Sequence, residues 1–167
     1  GFIKMQDKIG WIGLGSMGNR MAKNLAKNGY QMFVTDKMDT SAAPQGAHVA
    51  TTNSEVISEA NILILSIPAG PDTLEIAQEI LNSPNSSVEI VIDTSTIGIP
   101  DAKKAAELLS KRGIEYVDAP VSGGIAGADA ATLAVMVGCK ENIFEKVQPI
   151  LKCIGANIFH VGPNPGQ

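Results

Sequence analysis

The sequence of 167 residues predicts an α/β protein with a doubly wound, mostly parallel sheet and helices on both of its faces. Several segments of strand length are apolar at nearly every position, as expected of strands that are buried on both sides. Segments with the helical period of apolar residues separate these strands, an alternation typical of parallel sheets. No period of roughly 20 to 50 residues recurs, which argues against a repeat protein. The length suits one domain, and we predict a single domain over residues 1–167.

The first two predicted elements are a strand over residues 8–14, KIGWIGL, and a helix over residues 16–29. The strand is indicated by its short apolar run, bounded by glycine. In the helix, Met17, Met21 and Leu25 recur at every fourth position and form one apolar face. Lysines lie away from this face, and Gly29, the last residue of the segment, is a typical C-terminal stop.

The same alternation of strands and helices continues along the chain. Asn53 or Ser54 is expected to cap a short helix, and a proline opens the helix that begins at residue 71. Pro149 is expected to interrupt or bend the last helix. The further predicted strands are 30–35, 47–50, 61–67, 88–93, 114–119, 132–138 and 157–161, and the further predicted helices are 52–60, 71–81, 100–113 and 141–155.

Charge and hydropathy argue against several classes of partner. The formal net charge is −4, and no run of lysine or arginine provides the basic surface that nucleic acid or an anionic membrane requires. The longest apolar runs are far shorter than the ~20 residues of a membrane-spanning helix, and no basic leader with a cleavage site is recognisable. We therefore expect a cytoplasmic protein that binds neither nucleic acid nor membrane.

The cysteines and histidines do not suggest a metal site. Cys139 and Cys153 are the two cysteines, neither belongs to a CxxC pair, and no histidine cluster accompanies them. We expect two reduced, packed thiols. A functional thiol at Cys139, which follows a strand end, is the less favoured alternative because no basic neighbour lowers its pKa. His48 and His160 are expected to be structural.

A glycine turn between the first strand and the first helix predicts a Rossmann-like dinucleotide site. Gly13, Gly15 and Gly18 form the pattern G-x-G-x-x-G in the strand–turn–helix context that gives this pattern its meaning. The first glycine permits the tight turn, the second lets backbone approach a pyrophosphate, and the third lets helix and strand pack closely. The helix start adds unpaired N–H groups. A glycine-rich turn without function is the alternative. The predicted cofactor turn comprises Gly13, Leu14, Gly15, Ser16, Met17 and Gly18.

Asp36 lies at the end of the second predicted strand, eighteen residues after Gly18. A carboxylate at this place accepts hydrogen bonds from the adenosine ribose and repels a 2′-phosphate. NAD is therefore favoured over NADP as the cofactor. Lys37, the next residue, weakens that preference, and a solvated loop acid is the alternative reading of Asp36.

Two further strand ends are predicted to complete the cofactor site, because ligands of parallel sheets bind beyond the carboxyl ends of the strands. Ile67 and Pro68 follow one strand and are placed to wall the nucleotide. Thr96, in the segment DTSTIG, follows the next strand and is the hydroxyl best placed by spacing. The alternatives are that Pro68 only ends its strand and that residues 93–96 only cap the following helix.

The segment PVSGG, residues 120–124, suggests a second binding site on the same edge of the sheet. Ser122 offers a hydroxyl, and Gly123 and Gly124 offer amides that no side chain shields. Such a concavity binds an anion, here a substrate carboxylate. A bulge or turn that glycine permits for steric reasons is the alternative.

Four motifs, in order along the chain, resemble the β-hydroxyacid dehydrogenase family, which includes 3-hydroxyisobutyrate dehydrogenase and tartronate semialdehyde reductase. The resemblance covers the chain almost from end to end. It is carried by IGWIGLGSMGNRMAKNLAKNGY, by IDTST, by DAPVSGGIAGADAATLAVMVG and by GANIFHVGPNPGQ.

The resemblance implies an NAD-dependent oxidoreductase that reversibly oxidises a small 3-hydroxy acid by hydride transfer. It implies that the chain is an N-terminal NAD-binding domain of the 6-phosphogluconate dehydrogenase-like type. Asp72 then lines the cofactor with Ile67 and Pro68, and Thr96 approaches the nicotinamide. Ser122, with Gly123 and Gly124, holds the carboxylate of a small carboxylic acid, and Ser122 and Thr96 are the catalytic candidates within the chain.

The resemblance also implies parts that lie outside this sequence. The family's general base is a lysine, expected three residues after Gln167, and a helical second domain is expected to follow. The intact protein is then a homodimer or homotetramer, and the 167-residue chain alone is inactive. Two alternatives stay open: an imine or aldehyde reductase of the same fold, and a non-catalytic NAD-binding scaffold protein.

Overall fold

The computed structural model describes residues 7–166. The strands in this part of the chain are β1 Lys8–Ile12, β2 Gln31–Thr35, β3 His48–Val49, β4 Ile62–Leu65, β5 Ile90–Asp93, β6 Glu115–Asp118, β7 Val121–Ser122, β8 Leu133–Gly138 and β9 Gly155–Gly162. The helices are α1 Ser16–Lys27, α2 Asn53–Glu59, α3 Gly70–Leu81, α4 Ile99–Ser110, α5 Gly124–Ala130 and α6 Glu141–Leu151. The strands form one sheet in the order β3-β2-β1-β4-β5-β6-β8-β7, with β9 beside β8.

The sheet is parallel from β3 to β6, and both of its faces are covered by helices. Every residue of β4 and β5 is buried, which explains why their sequences, ILIL and IVID, do not alternate between apolar and polar residues. The apolar faces of α1, α5 and α6 pack on one side of the sheet, and those of α2, α3 and α4 pack on the other. The predicted doubly wound α/β fold is confirmed.

The segment after β6 differs from the prediction, because β8 runs antiparallel to β6 and β7. β6 and β7 both pair with β8 in one continuous register, so they form a single strand along the same side of β8. This strand is interrupted at Pro120, which has no N–H for a ladder hydrogen bond. Helix α5, GIAGADA, was not predicted: its seven residues are glycine, alanine, one isoleucine and one aspartate, and they show no apolar period. The helix is capped by the next residue, Ala131, whose φ of 59° is the one positive φ of a non-glycine residue among those described.

Two expectations about helix ends need correction. The cap of α2 is neither Asn53 nor Ser54 but Thr52, whose side chain accepts a hydrogen bond from the N–H of Glu55. Pro149 lies inside α6, and the helix ends two residues after it, at Leu151, rather than at residue 155. None of the helices described between residues 7 and 166 is both long enough and apolar enough to cross a membrane.

The register of the sheet decides where a ligand can reach it. Asp93, at the end of β5, pairs with Asp118, at the end of β6, so the parallel strands end along one edge. Ser122 lies four residues beyond Asp118, which corresponds to about 13 Å of extended chain. The strand pair β7–β8 therefore projects past the edge at which the parallel strands end.

Candidate functional site

A cleft of about 590 Å³ lies at the carboxyl ends of β1, β2 and β4, between the glycine turn and helix α3. Its lining contains every residue predicted to bind the cofactor except Thr96. The lining residues are Ile12, Gly13, Leu14, Gly15, Ser16, Met17, Gly18, Asn19, Asp36, Lys37, Met38, Asp39, Asn53, Ser66, Ile67, Pro68, Asp72, Glu75, Ile76 and Glu79.

The three glycines of the turn lie in three different environments. Gly13 has a φ of 114°, and a side chain there would overlap the carbonyl oxygen of Ser66. A side chain at Gly18 would overlap the carbonyl oxygen of Gly13, so this glycine allows α1 to approach the turn closely. A Cβ at Gly15 would meet no atom within 4 Å, because this residue faces the open cleft. Gly13 and Gly18 are thus required by packing, whereas Gly15 leaves room for a ligand.

Trp11 supports the turn from inside the sheet. Its side chain is fully buried, and its indole Nε1 donates a 2.7 Å hydrogen bond to the carbonyl oxygen of Gly13. The backbone N–H of Gly13 in turn donates to the carbonyl of Thr35 at 3.0 Å, which ties the turn to the end of β2. Since a buried carbonyl without a partner is costly, these bonds hold the turn in one conformation.

Asp36 also takes part in holding the turn. Its Oδ2 accepts a 2.6 Å hydrogen bond from the N–H of Leu14, and its Oδ1 accepts from the N–H groups of Met38 and Asp39 at 2.8 and 3.2 Å. Burial raises the pKa of Asp36, but these three hydrogen bonds outweigh it and hold the pKa below its ordinary value. A carboxylate has about four lone-pair positions, so capacity remains for a further donor.

Helix α3 brings a set of carboxylates to the other wall of the cleft. Asp72 lies in its first turn, and Glu75 and Glu79 follow on the same helix face at three- and seven-residue spacing. Glu79 accepts a 3.1 Å hydrogen bond from Asn53. Of these three carboxylates only Asp72 was predicted to line the cofactor, although the helical spacing of Glu75 and Glu79 is visible in the sequence.

Lys37 forms an ion pair with Asp72, and both residues line the cleft. Its Nζ lies 3.6 Å from Oδ1 of Asp72, so the pair joins the end of β2 to the start of α3. The Lys37 side chain is 73% exposed and that of Asp72 is 28% exposed. This ion pair was not predicted, because the two residues are far apart in sequence and no local pattern links them.

A buried polar network centred on Asp93 lies behind the chain segment that carries Ile67, and sequence reasoning missed it. Asp93 is fully buried, and its carboxylate accepts hydrogen bonds from Thr73 Oγ1 at 2.8 Å, from the Tyr116 hydroxyl at 2.9 Å and from the N–H of Ser95 at 3.0 Å. The hydroxyl oxygen of Ser95 accepts a 2.8 Å hydrogen bond from the N–H of Ile67. Asp93 therefore connects α3, β6 and the chain segment that carries Ile67.

Thr96 of the predicted cofactor site lies outside the cleft lining, and so do Ser122, Gly123 and Gly124 of the predicted second site. Thr96 is exposed, three residues after Asp93, between β5 and α4. Ser122, Gly123 and Gly124 are exposed at the junction of β7 and α5, and the two glycines have φ values of 139° and 67°. Among the described residues, neither glycine N–H donates a backbone hydrogen bond outside the regular helices and strands, and both residues are exposed.

Helix α1 is attached to helix α5, which links the two predicted sites. Asn24 of α1 is buried, and its side-chain amide donates to the carbonyl oxygens of Ala128 and Asp129 at 2.7 and 3.2 Å. Arg20 forms an ion pair with Asp129 at 3.2 Å in the same contact. The carbonyls at the end of α5 would otherwise lack partners, so α1 fixes the helix whose first residues follow Ser122.

The cysteines and histidines have the environments expected of structural residues. Burial, with a smaller contribution from Glu115, raises the pKa of Cys139 to about 12, which disfavours a reactive thiolate. His160 has its Nε2 2.6 Å from the carbonyl oxygen of Cys139 and stacks on Phe144. His48 lies 3.4 Å from Glu55. No group of three or more potential metal ligands occurs within residues 7–166.

A sheet wound by helices on both faces, with a glycine turn that opens a helix beside a cleft at the carboxyl edge, defines a dinucleotide-binding domain of the Rossmann type. The sequence matches the model of the family described as the NAD binding domain of 6-phosphogluconate dehydrogenase over residues 8–162. The chain belongs to this family.

Relatives of known activity agree with this assignment. The 2-(hydroxymethyl)glutarate dehydrogenase of Eubacterium barkeri is 41% identical over 93% of this chain and 53% of that protein. The 2-hydroxy-3-oxopropionate reductase of Escherichia coli is 36% identical over 94% of this chain and 55% of that protein. The structure of Mycobacterium tuberculosis 3-hydroxyisobutyrate dehydrogenase with L-serine has a TM-score of 0.89 and 34% identity, over 96% of this chain and 56% of that one. The chain spans about half the length of the relatives that it matches.

Proposed function

We propose that the intact protein is an NAD-dependent oxidoreductase that reversibly oxidises a small 3-hydroxy acid. Residues 1–167 are its dinucleotide-binding domain, and a helical second domain follows them. The observation that carries this proposal is the cleft that collects the glycine turn, Asp36 and Ile67 at the carboxyl edge of the sheet. The relatives, which are nearly twice as long, support it.

The residues of the cleft fit NAD. Gly15 leaves open space where the backbone would approach the pyrophosphate, together with Leu14, Ser16 and Met17 of the turn between Gly13 and Gly18. The Asp36 carboxylate, with its lowered pKa, is ionised at neutral pH and suited to accept hydrogen bonds from ribose hydroxyls. Ile67, Pro68 and Asp72 wall the nucleotide, and Thr96 lies towards the nicotinamide. Bound NAD supplies a nicotinamide ring that accepts a hydride.

The substrate carboxylate is bound by the Ser122 hydroxyl and the exposed amides of Gly123 and Gly124. One hydroxyl and two amides can occupy three of the roughly four lone-pair positions of a carboxylate. This grouping of donors favours an anion site over a purely steric turn. Their position beyond the edge of the parallel strands would bring an acid towards the nicotinamide end of a bound dinucleotide. Ser122 and Thr96 orient the substrate in this proposal.

The names of the relatives suggest the substrate class. 2-(Hydroxymethyl)glutarate, 3-hydroxyisobutyrate and L-serine each carry a hydroxymethyl group on the carbon next to a carboxylate. 2-Hydroxy-3-oxopropionate carries an aldehyde at the same position, which is the oxidised form of that group. We therefore propose a 3-hydroxypropanoate with a substituent on carbon 2 as the substrate of this protein.

The reaction requires a base for the hydroxyl proton, and none of the described residues at the proposed site supplies one. In the proposal, a lysine beyond residue 167 accepts this proton while the carbon-bound hydrogen leaves as hydride. A lysine acts in this way when a desolvated, cationic environment lowers its pKa. The 167-residue chain is then inactive but able to bind the dinucleotide.

The proposal also includes a setting for the intact protein. Two free cysteines, one of them buried, suit a reducing compartment, and we propose the cytoplasm. We further propose a homodimer or homotetramer, with neither nucleic acid nor membrane as a partner. Sedimentation of the intact protein and fractionation of the source cell test these two statements.

The test of the function has two arms. The intact protein is assayed with NAD and NADP on 3-hydroxypropanoates that differ at carbon 2 and on the matching aldehydes. The 167-residue chain is titrated with NAD by calorimetry, with Gly15→Val as the control for the glycine turn. We expect turnover of at least one such acid and NAD binding by the chain. Absence of dinucleotide binding by the chain would contradict the cofactor site, and binding without turnover of any such acid would contradict the substrate class.

A further inference from the structure

The cleft that we assign to the dinucleotide carries an unusual balance of charge. Its lining holds one cation, Lys37, among the residues that the structure describes. The carboxylates that line the same cleft are Asp36, Asp39, Asp72, Glu75 and Glu79. A nucleotide with an additional phosphate on its adenosine ribose would place roughly two further negative charges near these carboxylates.

Lys37 is the residue that would be expected to offset such a phosphate, because it directly follows Asp36 at the end of β2. A basic residue near this strand end is the usual way to accommodate a 2′-phosphate. In the structure, however, the ammonium group of Lys37 lies 3.6 Å from the carboxylate of Asp72 on α3. To reach a 2′-phosphate, the lysine would have to give up this partner, and the carboxylate would then stay unpaired near the phosphate.

We infer that Asp72 is a determinant of the preference for NAD, because it holds Lys37 away from the position of a 2′-phosphate. This inference rests on the proposed placement of the adenosine ribose beside Asp36. It adds to that proposal a second residue, on a different element of the fold, whose effect acts through the lysine. Asp36 repels the phosphate directly, whereas Asp72 holds Lys37, the cation that would attract it.

The expected effect is modest, because Lys37 is largely exposed and exposed ion pairs are weak. Asp72→Asn preserves the size of the side chain and removes its charge. It is expected to change the ratio of the dissociation constants for NAD and NADP by roughly 1.5- to fivefold in favour of NADP. The change should shrink at high ionic strength because salt screens exposed charges.

Two further variants distinguish two explanations of such a shift: that Asp72→Asn releases Lys37, or that it only removes a negative charge from the cleft. Glu75→Gln removes one carboxylate from the same face of α3 and leaves the pair between Lys37 and Asp72 intact. Lys37→Met removes the cation while keeping a long side chain. The double variant with Asp72→Asn and Lys37→Met completes a mutant cycle, which isolates the interaction between the two residues.

The experiment titrates the 167-residue chain and these variants with NAD and with NADP by calorimetry at low and at moderate salt. The inference is supported if Asp72→Asn shifts the ratio towards NADP and if this shift disappears when residue 37 is methionine. It is overturned if the shift persists without Lys37, or if Glu75→Gln produces a shift of the same size. If the unaltered chain binds neither dinucleotide, the proposed cofactor site fails and the inference fails with it.

Discussion

Replacing Tyr116 by phenylalanine tests the buried network around Asp93. Phenylalanine keeps the ring in the core and removes the hydroxyl that donates a 2.9 Å hydrogen bond to the Asp93 carboxylate. A hydrogen bond to a charged group contributes roughly 1.5–3 kcal/mol. For a domain of this size, that loss corresponds to a fall in melting temperature of about 3 to 12 °C, at roughly 2–4 °C for each kcal/mol.

The cost of this substitution should depend on pH. Burial raises the pKa of Asp93 above its ordinary value, although the donors of Ser95, Thr73 and Tyr116 lower it in part. A carboxyl group whose pKa is raised by folding contributes most to stability below 3.8, its unfolded value, and this contribution is lost as the pH rises through the folded pKa. Without the Tyr116 hydroxyl the pKa of Asp93 rises further, so the cost of Tyr116→Phe should grow as the pH rises through the folded pKa of Asp93.

The assay is urea unfolding of both proteins at several pH values, with the slope on denaturant checked for constancy. Tyr30→Phe is the matched control, because it removes the same hydroxyl from the other tyrosine of the sequence, at a partly exposed position. We expect the control to change the unfolding free energy by less than about 0.5 kcal/mol. The reasoning is refuted if Tyr116→Phe costs no more than Tyr30→Phe, or if its cost is the same at every pH.

Three further substitutions examine the two proposed sites. Gly15→Val should abolish NAD binding in calorimetry while leaving the melting temperature nearly unchanged, since a Cβ there meets no atom within 4 Å; retained affinity would contradict the turn as the pyrophosphate site. Asp36→Ala should narrow the gap between the NAD and NADP dissociation constants. Because hydrogen bonds lower the pKa of Asp36, the stability that it contributes should be lost as the pH falls below 3.8, which denaturation of both proteins at acidic pH checks. The proposed carboxylate site predicts that Ser122→Ala in the intact protein raises KM for the acid by a factor equivalent to about 1–3 kcal/mol. A change in melting temperature with KM unchanged would return Ser122 to a structural role.

The parts of the fold that the sequence predicts well are those set by local patterns. The apolar runs of β4 and β5 mark buried parallel strands, and the four-residue spacing of Met17, Met21 and Leu25 marks α1. The glycine turn is predicted because its spacing between a strand and a helix is a local pattern. The structure limits Gly18 within the turn itself, through the carbonyl of Gly13, whereas a Cβ at Gly15 meets no atom within 4 Å. In these places the local sequence and the final packing require the same residues.

The features that the sequence does not predict depend on residues that meet only after folding. Asp93 looks like a helix cap in the sequence, yet its partners Thr73 and Tyr116 are 20 and 23 residues away. Lys37 and Asp72, which form an ion pair, are likewise far apart in the sequence. The antiparallel direction of β8 follows from the short connection through α5, whose glycine and alanine residues carry no periodic signal.

The hydrogen bond between Trp11 and the carbonyl of Gly13 has a practical consequence for spectroscopy. Trp11 is the single tryptophan of the sequence, and its indole is fully buried against the glycine turn. Its fluorescence therefore reports on one location, the backbone that lies next to the cleft. Reduced nicotinamide absorbs light in the range in which indole emits, so a bound reduced dinucleotide would quench this emission by energy transfer. A titration can thus be followed optically without attaching any dye.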